Sequence, residues 1–439
     1  MPSLAIKPTW IVTMSSEPLR DMWLTISEGR IESISNDKPS SSQIQHAWEL
    51  PGLILMPGLI NSHCHFEFSD LDHPIPARGS FVDWIGEVLR YRREIAGPDD
   101  SNSRQKALQY GILEAWRSGT RFAIDTITAP WDFDWVEATI GGMVSEDLLT
   151  RGLVGIAPFC YQACPEILDI HASRRLQTLD FARTVHGIPP GDWNLSRAAI
   201  SPHAPYTASI DLVREAASPS VLNGGIVSMH LAESRDEMEW LQSHSGPMAQ
   251  RLAAYRDATF QNSFASLQEY LNELLKAPCS LIIHGNYLDT HCLRQLADSS
   301  QRAAIVHCPR TYTHFHGKLE GRYPLEMRLS SGVRHLLGTD SRASNPDLNL
   351  WREVQHLAEQ FPGIGSQALV AMATSDAALF LGRNDLGTIE VGKRSLLTAF
   401  VWPECFECNE NTLLPRLLQA DRNPVPLESV LSSLGHEFQ

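Results

Sequence analysis

MPGLINSHCHFEFSD, residues 56–70, is the stretch whose reading decides the fold. Leu53 to Ile60 reads as a buried strand punctuated by Pro57-Gly58, and it delivers two histidines two positions apart, His63 and His65. Alternation along a strand puts residues i and i+2 on one face, so both imidazoles reach one point while Cys64 turns away. An isolated His-x-His pair is a weak signal. Here it gains weight because matching parts recur downstream at strand spacing.

Working outward, Thr120–Thr126, Gly152–Ala157, Ala198–His203, Gly225–His230, Ser280–His284, Ala303–His307 and Arg334–Asp340 are short apolar runs. They have the character of parallel strands buried on both faces. Arg104–Trp116, Ile210–Ala217, Ser234–Leu241 and Ser266–Leu275 read as helices between them. Regular alternation of this kind predicts an α/β protein built on a (β/α)8 TIM barrel. Six of the strands end on His65, His203, His230, His284, His307 or Asp340. In a barrel the C-terminal strand ends converge on one mouth, and packing alone would not place six polar residues there.

The flanks differ. Leu4 to Ser35 alternates apolar and polar residues, with Glu28-Gly29-Arg30 as a hairpin turn, and Phe380 to Trp402 suggests further short strands. The expected organisation is a small β-sandwich from both chain ends, residues 1–56 with 375–439, around a metal-dependent barrel at 57–374.

The 439 residues are 43% hydrophobic and 20% charged, ample for a large core. A net charge of −15, with no basic block longer than Arg92-Arg93, argues against nucleic acid or an anionic membrane as partner. No apolar run is long enough to span a bilayer, and the N-terminal residues lack a signal-peptide pattern. The eight cysteines form no compact disulfide framework, so a cytoplasmic protein with reduced thiols is expected. His65-Phe66-Glu67 with Pro403-Glu404-Cys405-Phe406-Glu407-Cys408 superficially imitates a zinc signature of nucleobase deaminases. A residue intervenes between the proline and the first cysteine and the halves lie far apart, so the cysteine pair reads as incidental.

PGLINSHCH, SPHAPYT, HLAES, HGNYLD, HCPR and LGTDSRASNPDLNL follow one another in order, and DLGTIEVGKRS returns the chain to its flanking unit. In these motifs the chain resembles the amidohydrolase superfamily, in its cytosine-deaminase-like and chlorohydrolase-like branch. The runs HFEFSDL at 65–71, SFVDWI at 80–85 and HCPRT at 307–311 look most like aminodeoxyfutalosine deaminases and their relatives. The resemblance implies His63, His65, His230 and Asp340 as ligands of one divalent metal ion, zinc first and iron second. Three imidazoles and a carboxylate suit such an ion with a position open for water. Strand four offers no lysine to carbamylate, which points to a mononuclear site. The resemblance assigns proton shuttling to Glu233, orientation of the attacking water to His284, and proton acceptance as well as ligation to Asp340. Glu67, Trp84, His203 and His307 are expected to contact substrate, and Asn286 is a weaker guess. After His307-Cys308-Pro309 the branch often shows Ser-Asn, whereas this chain has Arg310-Thr311.

The expected activity is hydrolytic deamination of an aminated heterocycle of aminopurine-nucleoside type, with a small-molecule partner and a homodimer as the expected assembly. The alternatives are an s-triazine chlorohydrolase or aminohydrolase, and a non-catalytic scaffold.

Overall fold

The computed structural model describes residues 3–40, 44–94, 101–143, 158–189, 191, 198–218, 221, 224–253, 255–256, 265–317 and 321–437. The chain ends make one mixed sheet from β1 (Ser3–Ile11), β2 (Leu19–Arg20), β3 (Trp23–Ser27), β4 (Arg30–Ser35) and β5 (Ile44–Pro57). The later strands β15 (Leu397–Val401) and β16 (Val425–Pro426) complete it, β15 pairing antiparallel with β5. The β3–β4 turn carries positive φ at Glu28 (51°) and Gly29 (68°), the conformation a tight hairpin needs.

The second sheet holds β6 (Leu59–His65), β7 (Thr120–Ile127), β8 (Cys160–Ile167), β9 (Ala199–Pro202) and β10 (Ile226–Leu231). It continues through β11 (Cys279–His284), β12 (Ala303–His307), β13 (His335–Leu337) and β14 (Asp340–Ser341). Every pairing within it is parallel. Strand eight is split: β13 pairs with β12, and β14 pairs with β6, which closes the sheet into a barrel. Gly338 makes the closure sterically possible, because a Cβ there would stand 2.7 Å from the carbonyl oxygen of His63.

Two strand expectations shift. Leu53–Ile60 is not one strand; the chain leaves β5 at Pro57 and enters the barrel at Leu59. Gly58 marks the crossing, where a Cβ would lie 2.0 Å from the Arg121 side chain. The expected third strand, Gly152–Ala157, lies outside the described residues, and the strand between β7 and β9 is Cys160–Ile167. Its sequence, CYQACPEI, is buried throughout yet carries Gln162, Pro165 and Glu166, which hides it from a search for apolar runs. Within Phe380–Trp402 the described strand is β15 alone.

The helices begin where the sequence supplies caps: Ser209, Ser234 and Ser266 each accept a backbone N–H of the first turn. Arg121, fully buried, donates to the Leu397 carbonyl and pairs with Glu428, tying the C-terminal helix Leu427–Glu437 to β7 and β15. Cys405 and Cys408 are buried in the core cluster around Trp10 and Trp351, and no metal-capable group among the described residues includes a cysteine. None of the described helices is long and apolar enough to cross a membrane.

Candidate active site

β6 ends by delivering His63 and His65 to the barrel mouth, while Cys64 turns the other way, its Sγ 3.4 Å from the Ile124 carbonyl. His65 Nε2 lies 3.3 Å from His230 Nε2. Asp340 Oδ1 lies 3.6 Å from His63 Nε2 and 3.8 Å from His65 Nε2. Two nitrogens held at zinc–nitrogen bond length on a tetrahedral ion stand about 3.4 Å apart, so this spacing is that of a ligand set. His63 Nε2 is buried with no hydrogen-bond partner, and an ion would supply the missing one. His230 Nδ1 lies 2.9 Å from the carbonyl of His203, which spends its N–H there and leaves the Nε2 lone pair facing inward.

Electrostatics match the geometry. Burial, reinforced by neighbouring imidazoles, holds His65, His230 and His284 well below the usual histidine range, keeping them neutral. Burial alone would raise the Asp340 carboxyl. The imidazoles of His63, His284 and His65 beside it outweigh burial and hold the group well below the usual carboxylate range. Its other oxygen, Oδ2, accepts a 2.6 Å bond from Ser344. Asp340 (φ 57°), His284 (φ 65°) and Ala232 (φ 54°) all adopt the left-handed conformation that non-glycine residues avoid. Such strain concentrated around one group of side chains is a mark of function.

Glu233 Oε1 lies 3.4 Å from His284 Nε2. Burial pushes its carboxyl well up, helped by Asp340 and Glu237. The backbone of Glu233 is clamped from both sides. Glu237, itself fully buried, accepts the N–H groups of Ala232 and Glu233, each at 2.8 Å. Asn286 Nδ2 donates to the Glu233 carbonyl at 2.9 Å. Behind this loop the buried Arg328 donates to the carbonyls of Gly285 (2.9 Å) and Asn286 (3.0 Å) and to Tyr323 Oη (2.6 Å).

The residues expected at substrate are more dispersed. Glu67 is held by Arg92, Arg104 and the Thr128 hydroxyl, so its carboxylate is already occupied by protein. Trp84 joins Phe81 and Phe315 in an aromatic cluster between the helices Phe81–Glu94 and Pro309–His316, with ring centroids 4.8 Å apart for Trp84–Phe315. His307 is buried and stacks on Tyr323 at 3.8 Å. His203 sits beside His230, with Nε2 4.0 Å from Glu166 Oε1. The unusual Arg310 is occupied by protein, pairing with Asp347 and Glu353.

Sequence reading missed Glu237, Arg328 and Glu166. The first two act on backbone atoms and have no motif. Glu166 has one: it stands near the end of a barrel strand, as His203 and His230 do, but that strand was sought elsewhere.

The chain is similar to known proteins over most of its length. The chain is 25% identical over 440 residues to the 5-methylthioadenosine/S-adenosylhomocysteine deaminase of Pelotomaculum thermopropionicum, covering 96% of this chain and 90% of the relative. Its fold matches Helicobacter pylori aminofutalosine deaminase in complex with methylthio-coformycin, with TM-score 0.72, 21% identity and coverage of 96% and 97%. It also matches atrazine chlorohydrolase from Arthrobacter aurescens TC1 complexed with zinc, with TM-score 0.69, 20% identity and coverage of 94% and 91%. The model of the amidohydrolase family matches residues 54–404, most of the chain, and the protein belongs to that family.

Proposed function

We propose that this protein is a metal-dependent hydrolase acting on carbon–nitrogen bonds other than peptide bonds, and that it deaminates an aminated heterocycle of the aminopurine-nucleoside kind. The observation that carries the reading is the meeting of three imidazoles and the Asp340 carboxylate beside the Glu233–His284 pair. His63, His65, His230 and Asp340 would hold one divalent ion, zinc in the first place and iron in the second. When bound, the ion supplies Lewis acidity that makes water nucleophilic near neutral pH.

The chain's own residues then divide the work. Glu233, its carboxyl raised by burial, takes a proton from the attacking water and delivers it to the ring nitrogen next to the reacting carbon. His284 Nε2, 3.4 Å from Glu233 Oε1, orients the water. Asp340, which would also hold the ion, takes the second proton of the water and passes it to the departing amine. A carbon–oxygen bond forms, the exocyclic carbon–nitrogen bond breaks, and ammonia departs carrying a proton that came from water. Trp84, His203 and His307 shape the surroundings of the ring, and Glu67 acts through the arginines that it anchors. The reading also carries a catalytic barrel at 57–374 supported by 1–56 with 375–439, a homodimer and a cytoplasmic address.

The test is ammonia release by metal-replete protein from aminopurines, their nucleosides, pterins, cytosine and s-triazines, with metal quantified on the same sample. Ammonia from an aminopurine nucleoside, lost about 10²- to 10⁴-fold in Glu233→Gln with metal retained, supports the reading. Chloride release from a chlorotriazine with no deamination would replace it by the dehalogenating one. Silence with no bound metal, even after reconstitution, would leave a scaffold.

A further inference from the structure

Glu166 is a buried carboxylate near the end of β8, about 5% exposed, for which the mechanism above has no use. Among the described residues its side chain makes no hydrogen bond, and its nearest counter-group is His203 Nε2 at 4.0 Å. A carboxylate largely removed from water and left without a donor is costly, so it calls for a partner that arrives with the ligand. Its position supports this. An oxygen of Glu166, a nitrogen of His203 and a nitrogen of His230 lie within 4.8 Å of one another. His230 in turn belongs to the group with His63 and His65. Glu166, on β8, therefore lies within 4.8 Å of a nitrogen of one expected metal ligand. Glu233 follows β10, which β9 alone separates from β8 in the sheet, and His284 ends β11.

A second metal ion is the competing occupant. His230 offers only one inward nitrogen, because its other nitrogen is held 2.9 Å from the His203 carbonyl. That nitrogen already faces His65 at 3.3 Å, which leaves a second ion two protein ligands. Such a set is too small for a resident metal.

We propose that Glu166 is the acceptor for the exocyclic amine that leaves: its carboxylate oxygen receives an N–H of the amino group while Glu233 serves the ring nitrogen. Glu166 makes and breaks no covalent bond. The inference rests on the deaminase reading and sharpens it, because a chloro or alkoxy leaving group carries no N–H for this oxygen. Glu166 would then select amino-substituted rings, such as 6-aminopurines, whose amino group is a hydrogen-bond donor.

The experiment compares wild type, Glu166→Ala and Glu166→Gln as metal-replete full chains. It measures kcat/KM on the best aminopurine nucleoside, and the inhibition constant of purine riboside, which lacks the amine. Alanine should lower kcat/KM about 10- to 100-fold, the value of one hydrogen bond to a charged group, and shift the inhibition constant less than about 3-fold. Glutamine, whose amide oxygen still accepts, should recover part of the loss. Both variants should melt at or above the wild-type temperature, since an unpaired buried carboxylate has been removed. Equal losses for substrate and inhibitor, a lowered Tm, or two ions per wild-type chain would each overturn the assignment while leaving deamination standing. A wild type that releases no ammonia from any aminopurine would overturn both.

Discussion

Glu237→Gln probes whether the Glu233 backbone clamp matters. In the wild type both carboxylate oxygens of Glu237 accept backbone N–H groups, from Ala232 and Glu233, at 2.8 Å each. These bonds hold a turn whose Ala232 sits at φ 54° immediately before Glu233. Glutamine has one acceptor, so its NH2 group must oppose the other N–H. The loss combines a hydrogen bond to a charged group with a buried backbone donor left unsatisfied, together about 2–4 kcal/mol. If all of it appears as misalignment of Glu233 in the transition state, kcat falls about 30- to 700-fold at 1.4 kcal/mol per decade. Metal content should change little, because none of the expected ligands His63, His65, His230 and Asp340 is among the groups that Glu237 holds. The assay is steady-state ammonia release with metal quantified on the same protein. An unchanged kcat in a fully metallated variant would refute the reasoning, and loss of metal would mean that the clamp serves His230 instead.

Other predictions follow from neighbouring contacts. Asp340→Ala should lower metal occupancy, since its carboxylate is the one anion among the expected ligands; full retention of metal would show the set to be wrong. Arg328→Lys keeps the buried charge but cannot span the Gly285 and Asn286 carbonyls and Tyr323 together, so kcat should fall about tenfold with metal retained. Wild-type turnover in that variant would remove Arg328 from the positioning of His284 and Glu233. Burial pushes the Asp125 carboxyl up to about 8 against the bonds that it accepts from Tyr161 and Phe66. The folded chain thus keeps a proton that the unfolded chain releases above about pH 4, and this stabilisation is complete below pH 4 and lost as pH rises through 8. Asp125→Asn should therefore gain urea resistance relative to wild type as pH rises from 5 to about 9, and a pH-independent difference between the two would refute the sign.

The linear order of residues determined the barrel, because buried parallel strands must be apolar and a strand end can carry a histidine or aspartate only toward an open mouth. It determined the cluster as well: His63, His65, His230, Glu233, His284 and Asp340 were legible from motifs, each beside the apolar run that delivers it. Tertiary structure decided what pattern cannot carry. The split at Gly58 depends on the Arg121 side chain that crosses there, and the closure at Gly338 on a carbonyl from residue 63. Strand three was illegible because Gln162, Pro165 and Glu166 interrupt the apolar run of β8, buried though it is, and Glu166 was lost with it. Glu67 looked free to bind substrate until folding brought Arg92 and Arg104 onto it from the helices Phe81–Glu94 and Ser101–Arg117. Glu237, Asn286 and Arg328 act on backbone atoms of other segments. Hydrogen bonds of that kind leave no spacing in a sequence, because their geometry exists only once the chain has folded.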